Sequence, residues 1–457
     1  MAGGDRPAVT RPVTGPGEAV GPDEPVVPAA PSGNSTAGRQ AVAAVWRIES
    51  ARIVGALARY TGDFAMAEDL AQEALAEALV SWPRDGVPHH PAAWLMTVGR
   101  RRAIDAFRRR SALDERYAAM ASELAPGEAT SGSTPYREED DVLYDPERID
   151  DDVLALVFIS CHPVLSREAG VALTLRVLGG LTSDEIARAF MTPTATVQAR
   201  ITRAKKTLAA AQVAFEVPPP DERRERLSAV LSVIYLIFTE GSSATSGGEW
   251  IRTDLAGEAI RQARVLARLM PTEPEVHGLL ALLELTASRF PARVRDDGTP
   301  ILLEDQDRRR WDRAAVRRGR AALAMAGRVG RGLGAYGLQA SIAECHAVAP
   351  SVEETDWDRI VLLYDALSSL APSPVVELNR AVAVSMARGP AAALPLVDAL
   401  VAAGHLEGSH LLPGVRGELL TRLGRNDEAR TELEAAIRLC PGERERDVLR
   451  GKLDSLG

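Results

Sequence analysis

Three stretches of this 457-residue chain carry residue types and spacings suited to recognition chemistry. The first is GGLTSDEIARAFMTPTATVQARITRAKKTL, Gly179 to Leu208. Thr182 and Glu185 form a capping box ahead of a short helix in which Ile186 and Phe190 face inward and small Ala187 permits a close crossing. Thr192 then reads as an N-cap and Pro193 as the first position of a second helix, with Val197 and Ile201 as its core residues. Thr196, Gln198, Arg200, Arg203, Lys205 and Lys206 fall on its exposed sides, where they could reach base edges and phosphates in a major groove. The second stretch is Arg100 to Arg110, RRRAIDAFRRR, whose six Arg and one Asp attract phosphate. Trp94 precedes it and offers a face on which an unpaired base could stack. The third is AEDLAQEALAEAL, in which Asp69, Glu73 and Glu77 recur at i, i+4 and i+8. Like charges at that spacing cost helix stability, so a basic partner surface is expected opposite them.

The elements that position these residues are helical. Ala, Leu, Arg and Glu abound, aromatic residues make up 4% of the chain, and β-branched alternating runs are scarce, so the predicted fold class is all-α. Residues 1–40 hold seven Pro and seven Gly, too few apolar groups to offset ordering entropy, and read as a disordered arm. Residues 41–112 read as a first helical unit, in which Val45, Ile48, Ile53, Val54 and Leu57 fall near helical spacing and Ser81 to Pro91 forms a Pro-punctuated loop. Residues 113–152 read as a flexible linker, nine of the last fifteen being acidic, that separates two folded units. The second unit, 153–215, ends before Pro218-Pro219-Pro220, and 221–457 is a larger helical domain. Near its end LLTRLGRNDEARTELEAAIRLCP has the form of a tetratricopeptide unit, with Leu423-Gly424, Ala429, Ala436 and Pro441 in the expected places.

Several function classes are excluded by what these residues cannot do. The seven His show no ligand spacing of the H-E-x-x-H kind, no phosphate-cradling Gly loop follows a strand, and no nucleophile elbow is present, so an enzyme with its own catalytic site is not expected, nor is a cofactor or metal. His162, in Cys161-His162-Pro163, is the best single metal-ligand candidate, and two residues do not make a site. Cys161, Cys345 and Cys440 stand far apart with no C-x-x-C pair, which argues for a reducing compartment. The longest apolar run, Leu227 to Phe238, is far short of the roughly 20 residues a membrane helix needs. With no secretory start in Met1 to Thr10, the reading is cytoplasmic, without membrane association. A net charge of −9 argues against a wholesale nucleic-acid coat and leaves binding to the local basic blocks.

The order of these blocks resembles bacterial RNA polymerase sigma factors of the extracytoplasmic-function type, within the sigma-70 family, with region 2 at 41–112 and region 4 at 153–215. AEDLAQEAL resembles the helix that docks on the polymerase β′ clamp, which implies a core-polymerase role for Asp69, Gln72 and Glu73. PAAWLMTVGRRRAIDAFRRR resembles the helix that meets the −10 element, implying DNA contacts by Trp94, Arg100, Arg101, Asp105, Arg108 and Arg109. LTSDEIARAFMTPTATVQARITRAKKTL resembles the −35 reader of region 4, with Thr196, Gln198, Arg200, Arg203 and Lys205 facing DNA and the β flap as the neighbouring polymerase surface. The C-terminal half, through VLSVIYLIFTEG, DQDRRRWD and TDWDRIVLLYDAL, is similar to a subgroup with a fused tetratricopeptide-like domain, expected to contact polymerase or a regulatory partner. Two positions depart from the pattern: Thr239-Glu240-Gly241-Ser242 stands where Asn and Tyr flank Glu-Gly, and Thr194 where an acid is common. A stand-alone helix-turn-helix regulator with a repeat-type sensor domain is the alternative, and it leaves the acidic helix and the Arg-rich helix without a role.

Overall fold

The computed structural model describes residues 33–124, 149–190, 192–242, 253–295, 301–330 and 332–456. Among these, eighteen α-helices and no β-strand form, in agreement with the all-α expectation. The first group is α1 (Gly33–Thr61), α2 (Phe64–Asp85) and α3 (Pro91–Leu124). The second is α4 (Ile149–Ser160), α5 (Arg167–Val177), α6 (Ser183–Ala189) and α7 (Thr194–Ala210). The remainder begins with α8 (Pro220–Ser242), α9 (Thr253–Leu269), α10 (Pro274–Ala287), α11 (Arg313–Val329) and α12 (Ala335–Val348). It ends with α13 (Trp357–Leu370), α14 (Pro374–Arg388), α15 (Pro390–Ala402), α16 (Leu411–Arg422), α17 (Asn426–Leu439) and α18 (Glu443–Asp454).

Several boundaries differ from the sequence expectation. Helix α1 begins at Gly33, inside the segment read as an arm; residues 1–32 lie outside the described residues. The segment read as a loop from Ser81 is helical to Asp85, because Trp82 is 2% exposed and anchors the last turn despite Pro83. Gly86, at φ +93°, ends it by donating its N–H to the Trp82 carbonyl. Helix α3 runs on to Leu124, and α4 starts at Ile149, so both ends of the expected linker are helical, while 125–148 lie outside the described residues. Asp150, Asp151 and Asp152 form the first turn of α4, where acids complement the helix dipole.

The larger difference concerns separation. Helix α4 is apolar on every side, with Val153 through Ile159 all buried, and a helix of that kind must be surrounded. It packs between α1, α5, α8 and α9, and one continuous core runs from Val42 in α1 to Leu283 in α10. The two units and the start of the C-terminal domain therefore share a core instead of being separated by linkers. Gly180 marks the closest approach: at φ +63° it turns the chain against α1, and a Cβ there would lie 2.9 Å from Ser50 Oγ and 3.2 Å from the Trp46 carbonyl oxygen. Of the residues read as the core face of α1, Ile53, Val54 and Leu57 are buried, whereas Ile48 is 70% exposed. A second core, from Leu338 to Ala429, holds the helix hairpins from α12 to α17.

Candidate promoter and polymerase interface

The short helix α6 is capped as the sequence predicts. Thr182 Oγ1 accepts from the Glu185 N–H at 3.2 Å, and Glu185 Oε2 accepts from the Thr182 N–H at 2.8 Å. Burial raises the Glu185 pKa, but the hydrogen bonds from Thr182 and the Arg47 charge outweigh it and hold the carboxyl below its usual range. The turn that follows departs from expectation: α7 begins at Thr194 with Pro193 as N-cap, and the Thr192 hydroxyl is buried without a hydrogen-bond partner. Thr194 closes the turn instead, donating to Asp184 Oδ1 at 2.8 Å. In α7, Val197 and Ile201 are buried as expected. Gln198, Arg203 and Lys206 are exposed, and Thr196 and Arg200 are half-buried on the flank of the same helix.

Lys205 sits elsewhere. Its ammonium lies 2.8 Å from Glu68 Oε2 and 2.6 Å from Asp69 Oδ1, so a residue of the recognition helix is bonded to the acidic helix of the first unit. Glu68 is 3% exposed, and its other oxygen accepts from Arg176 Nε of α5 at 3.2 Å. Burial lowers the Lys205 pKa, but the two carboxylates outweigh it and raise it above the ordinary lysine value. Two further ion pairs join the units, Arg47 Nη2 to Glu185 Oε1 at 2.6 Å and Arg59 Nε to Asp152 Oδ2 at 3.0 Å.

Two other acids of α2, Glu73 and Glu77, find partners on α3. Arg102 reaches Glu73 at 3.3 Å and Glu77 at 2.9 Å, and Arg101 reaches Glu77 at 3.0 Å. The Arg102 hydrogen bond, together with the charge and hydrogen bond of Arg101, holds the Glu77 carboxyl below its usual range against the opposing desolvation. Two of the six arginines of the Arg100–Arg110 face, Arg101 and Arg102, are thus paired within the chain. Asp69 and Glu73 remain exposed and Gln72 is half-buried. Arg101, Asp105, Arg108 and Arg109 are exposed and Arg100 is half-buried. Trp94 is half-buried, its ring in edge contact with Trp82 at 5.6 Å, so one edge of it is already occupied.

Sequence reasoning missed Glu68, Arg176, Arg47 and the second role of Lys205. One signal was present: Glu68, Ala71 and Leu75 stand at i, i+3 and i+7, so Glu68 shares the inward stripe of α2. His162 has a local role, its Nδ1 accepting from the Val164 N–H at 3.1 Å.

Because these arginines are held by surface carboxylates, Glu77→Gln should release Arg101 and Arg102 at a stability cost of less than about 1 kcal/mol. Affinity for random duplex DNA should rise about threefold to tenfold at low salt, with a steeper salt dependence corresponding to one or two further phosphate contacts. Fluorescence anisotropy over a salt series measures both, and an unchanged slope would show that this face does not meet DNA.

These two modules define a class. Residues 47–112 match the family Sigma-70 region 2 and residues 156–208 match Sigma-70, region 4, so the chain carries the promoter-recognition modules of a sigma-70 family sigma factor. Residues 226–327 match a family of unknown function (DUF6596). Over 403 residues the chain is 46% identical to an uncharacterized protein of Rhizobium meliloti (strain 1021), covering 88% of this chain and 93% of that protein, and it belongs to the same family. No solved structure matches the chain. Among the described residues no helix is long and apolar enough to cross a membrane.

Proposed function

We propose that this chain is a sigma factor of the extracytoplasmic-function type whose C-terminal domain is a tetratricopeptide-like module fused to the two promoter-reading regions. The carrying observation is that one chain presents an acidic helix α2, an Arg-rich helix α3 and a capped helix-turn-helix in α6 and α7. In this reading Asp69, Gln72 and Glu73 dock on the basic β′ clamp of core polymerase. Docking fixes Trp94, Arg100, Arg101, Asp105, Arg108 and Arg109 beside the −10 DNA, where arginines hold backbone phosphates and fix register. Thr196, Gln198, Arg200, Arg203 and, once released, Lys205 read the −35 element by groove contacts and DNA shape, beside the β flap.

Geometry then requires a rearrangement. The −10 and −35 elements lie roughly 25 base pairs apart, about 85 Å at about 3.4 Å per pair. Helix α2 packs on α3 and is bonded directly to α7 through Lys205, so α3 and α7 cannot meet both elements in this arrangement. Promoter reading therefore requires the Lys205, Arg176, Arg47 and Arg59 ion pairs between the units to break and region 4 to leave α1. The C-terminal domain opposes this by holding region 4: Arg261 donates to the Leu178 carbonyl at 2.5 Å, and Arg268 pairs with Asp150 at 2.8 Å. In this reading it is the regulatory module.

The test is co-elution of the full chain with core RNA polymerase, beside its binding to random duplex DNA and promoter-dependent transcription. Co-elution with transcription from specific promoters, and little binding to free duplex, is expected. Strong binding to free duplex without co-elution would replace this reading with the stand-alone regulator.

A further inference from the structure

The last three helices converge on three lone-pair donors. His410 immediately precedes α16, Cys440 caps the C-terminus of α17, and Glu445 lies in the first turn of α18. Their donor atoms all lie within 4.8 Å of one another, with His410 Nε2 3.3 Å from Glu445 Oε1 and Cys440 Sγ 3.8 Å from Glu445 Oε2. Cys440 is 4% exposed. Among the described residues the buried His410 Nε2 finds no hydrogen-bond partner, since its approach to Glu445 lacks hydrogen-bond geometry. The thiol has only long contacts, to the Gly442 carbonyl at 3.5 Å and to Glu445. Arg446, a neighbouring cation among the described side chains, directs its guanidinium at the Cys440 and Pro441 carbonyl oxygens. An imidazole nitrogen, a thiol and a carboxylate thus face one another across a space that no hydrogen bond spans well.

We propose that His410, Cys440 and Glu445 form a divalent transition-metal site of the zinc type that clasps α16, α17 and α18 together. Tetrahedral zinc holds sulfur at about 2.3 Å and nitrogen or oxygen at about 2.0–2.2 Å, which sets ligand atoms roughly 3.3–3.7 Å apart. The 3.3 Å separation falls in that range and the 3.8 Å one just above it; they reach different oxygens of Glu445, so the carboxylate must turn to present one oxygen to the metal. Thiolate and imidazole select zinc, cobalt or copper over magnesium and calcium. The charges also balance: the metal displaces one proton from the Cys440 thiol and is bound by Glu445 as carboxylate and by His410 as neutral imidazole. A dication with one thiolate and one carboxylate is neutral overall, which suits a partly buried position. In the free protein, burial and the Glu445 carboxylate keep the thiol pKa above its ordinary value, so the proton is present to be displaced. Three protein ligands leave a fourth position for water. The role is that of a clasp: Lys452 to Glu418, at 2.5 Å, ties α18 to α16 on its own. This site stands independently of the sigma-factor reading.

The test is titration of the full-length reduced protein with Co(II), followed by absorption, and with Zn(II) in competition with a chromophoric chelator. One equivalent of Co(II) should give a sulfur-to-metal charge-transfer band in the near ultraviolet together with tetrahedral d–d bands. Cys440→Ser should abolish the charge-transfer band, and His410→Gln and Glu445→Gln should each weaken Zn(II) binding at least tenfold, while Cys345→Ser changes neither. Affinity should rise about tenfold per pH unit below the thiol pKa, because one proton is released. Zn(II) should raise the thermal midpoint of the wild type and leave that of Cys440→Ser in place. Absence of the charge-transfer band, its persistence in Cys440→Ser, or Zn(II) affinity unchanged in His410→Gln would each overturn the site. The His410 variant decides the matter if Cys440→Ser does not fold.

Discussion

Replacing Asp69 and Glu73 together by lysine is expected to abolish co-elution of the full chain with core RNA polymerase, lowering affinity at least about 100-fold, a loss of roughly 2.7 kcal/mol. Both carboxylates are exposed on α2 and stand one helical turn apart, so a basic partner surface meets them at once. Reversal replaces two attractions by two repulsions, and like-charge juxtaposition across an interface costs several kcal/mol. The variant also sets a lysine against Lys205 and Arg102, the present partners of Asp69 and Glu73, and so weakens the closed arrangement. Lys205→Ala separates the two effects, because it frees Asp69 without altering the acidic face. Co-elution by Lys205→Ala at wild-type strength or better, with none by the double reversal, is the expected pair of results. Retention of polymerase by the double reversal would remove α2 as the docking helix.

Glu68→Ala should be among the most destabilising substitutions on this surface. The carboxylate is 3% exposed and carries both Arg176 and Lys205, so its removal leaves two cations together at the junction of α2, α5 and α7. Breaking a buried ion pair from one side costs about 3–5 kcal/mol, and the residual exposure of both partners reduces this to about 2–4 kcal/mol. A fall in thermal midpoint of roughly 4–16 °C follows for a unit of this size, measured by calorimetry on the full chain. Glu68→Gln keeps the shape and loses the charge, and should fall between the two. A change of less than about 1 °C in Glu68→Ala would show that the junction carries no net stability.

The pH dependence has a definite sign. The Lys205 pKa is raised in the folded chain, so its contribution is complete below the ordinary lysine value of about 10.4 and is lost as pH climbs through the raised value. Glu77 and Glu185 have lowered values, so their contributions hold above the ordinary carboxylate value of about 4.3 and disappear as the solution is acidified below it. At neutral pH every one of these ion pairs is intact, and opening must come from a competing partner instead of from titration.

Local chemistry was legible in the residues themselves. The capping box at Thr182 and Glu185, the buried Val197 and Ile201 of α7, and the helical class throughout follow from spacing and propensity, which act within a few residues of chain. The three recognition stretches could likewise be located by residue type alone. Partners distant in sequence could not be. Glu68 and Lys205 are 137 residues apart, and His410 and Cys440 are 30 apart, so no spacing rule of a single helix connects either pair. The apolar surround of α4 decided that the two regions and the start of the C-terminal domain share one core, because a helix buried on all sides needs neighbours from several parts of the chain at once. Residue type and local spacing thus determined which groups could recognise DNA and polymerase. Long-range packing decided that the acidic helix α2 and the helix α7 hold one another through Lys205.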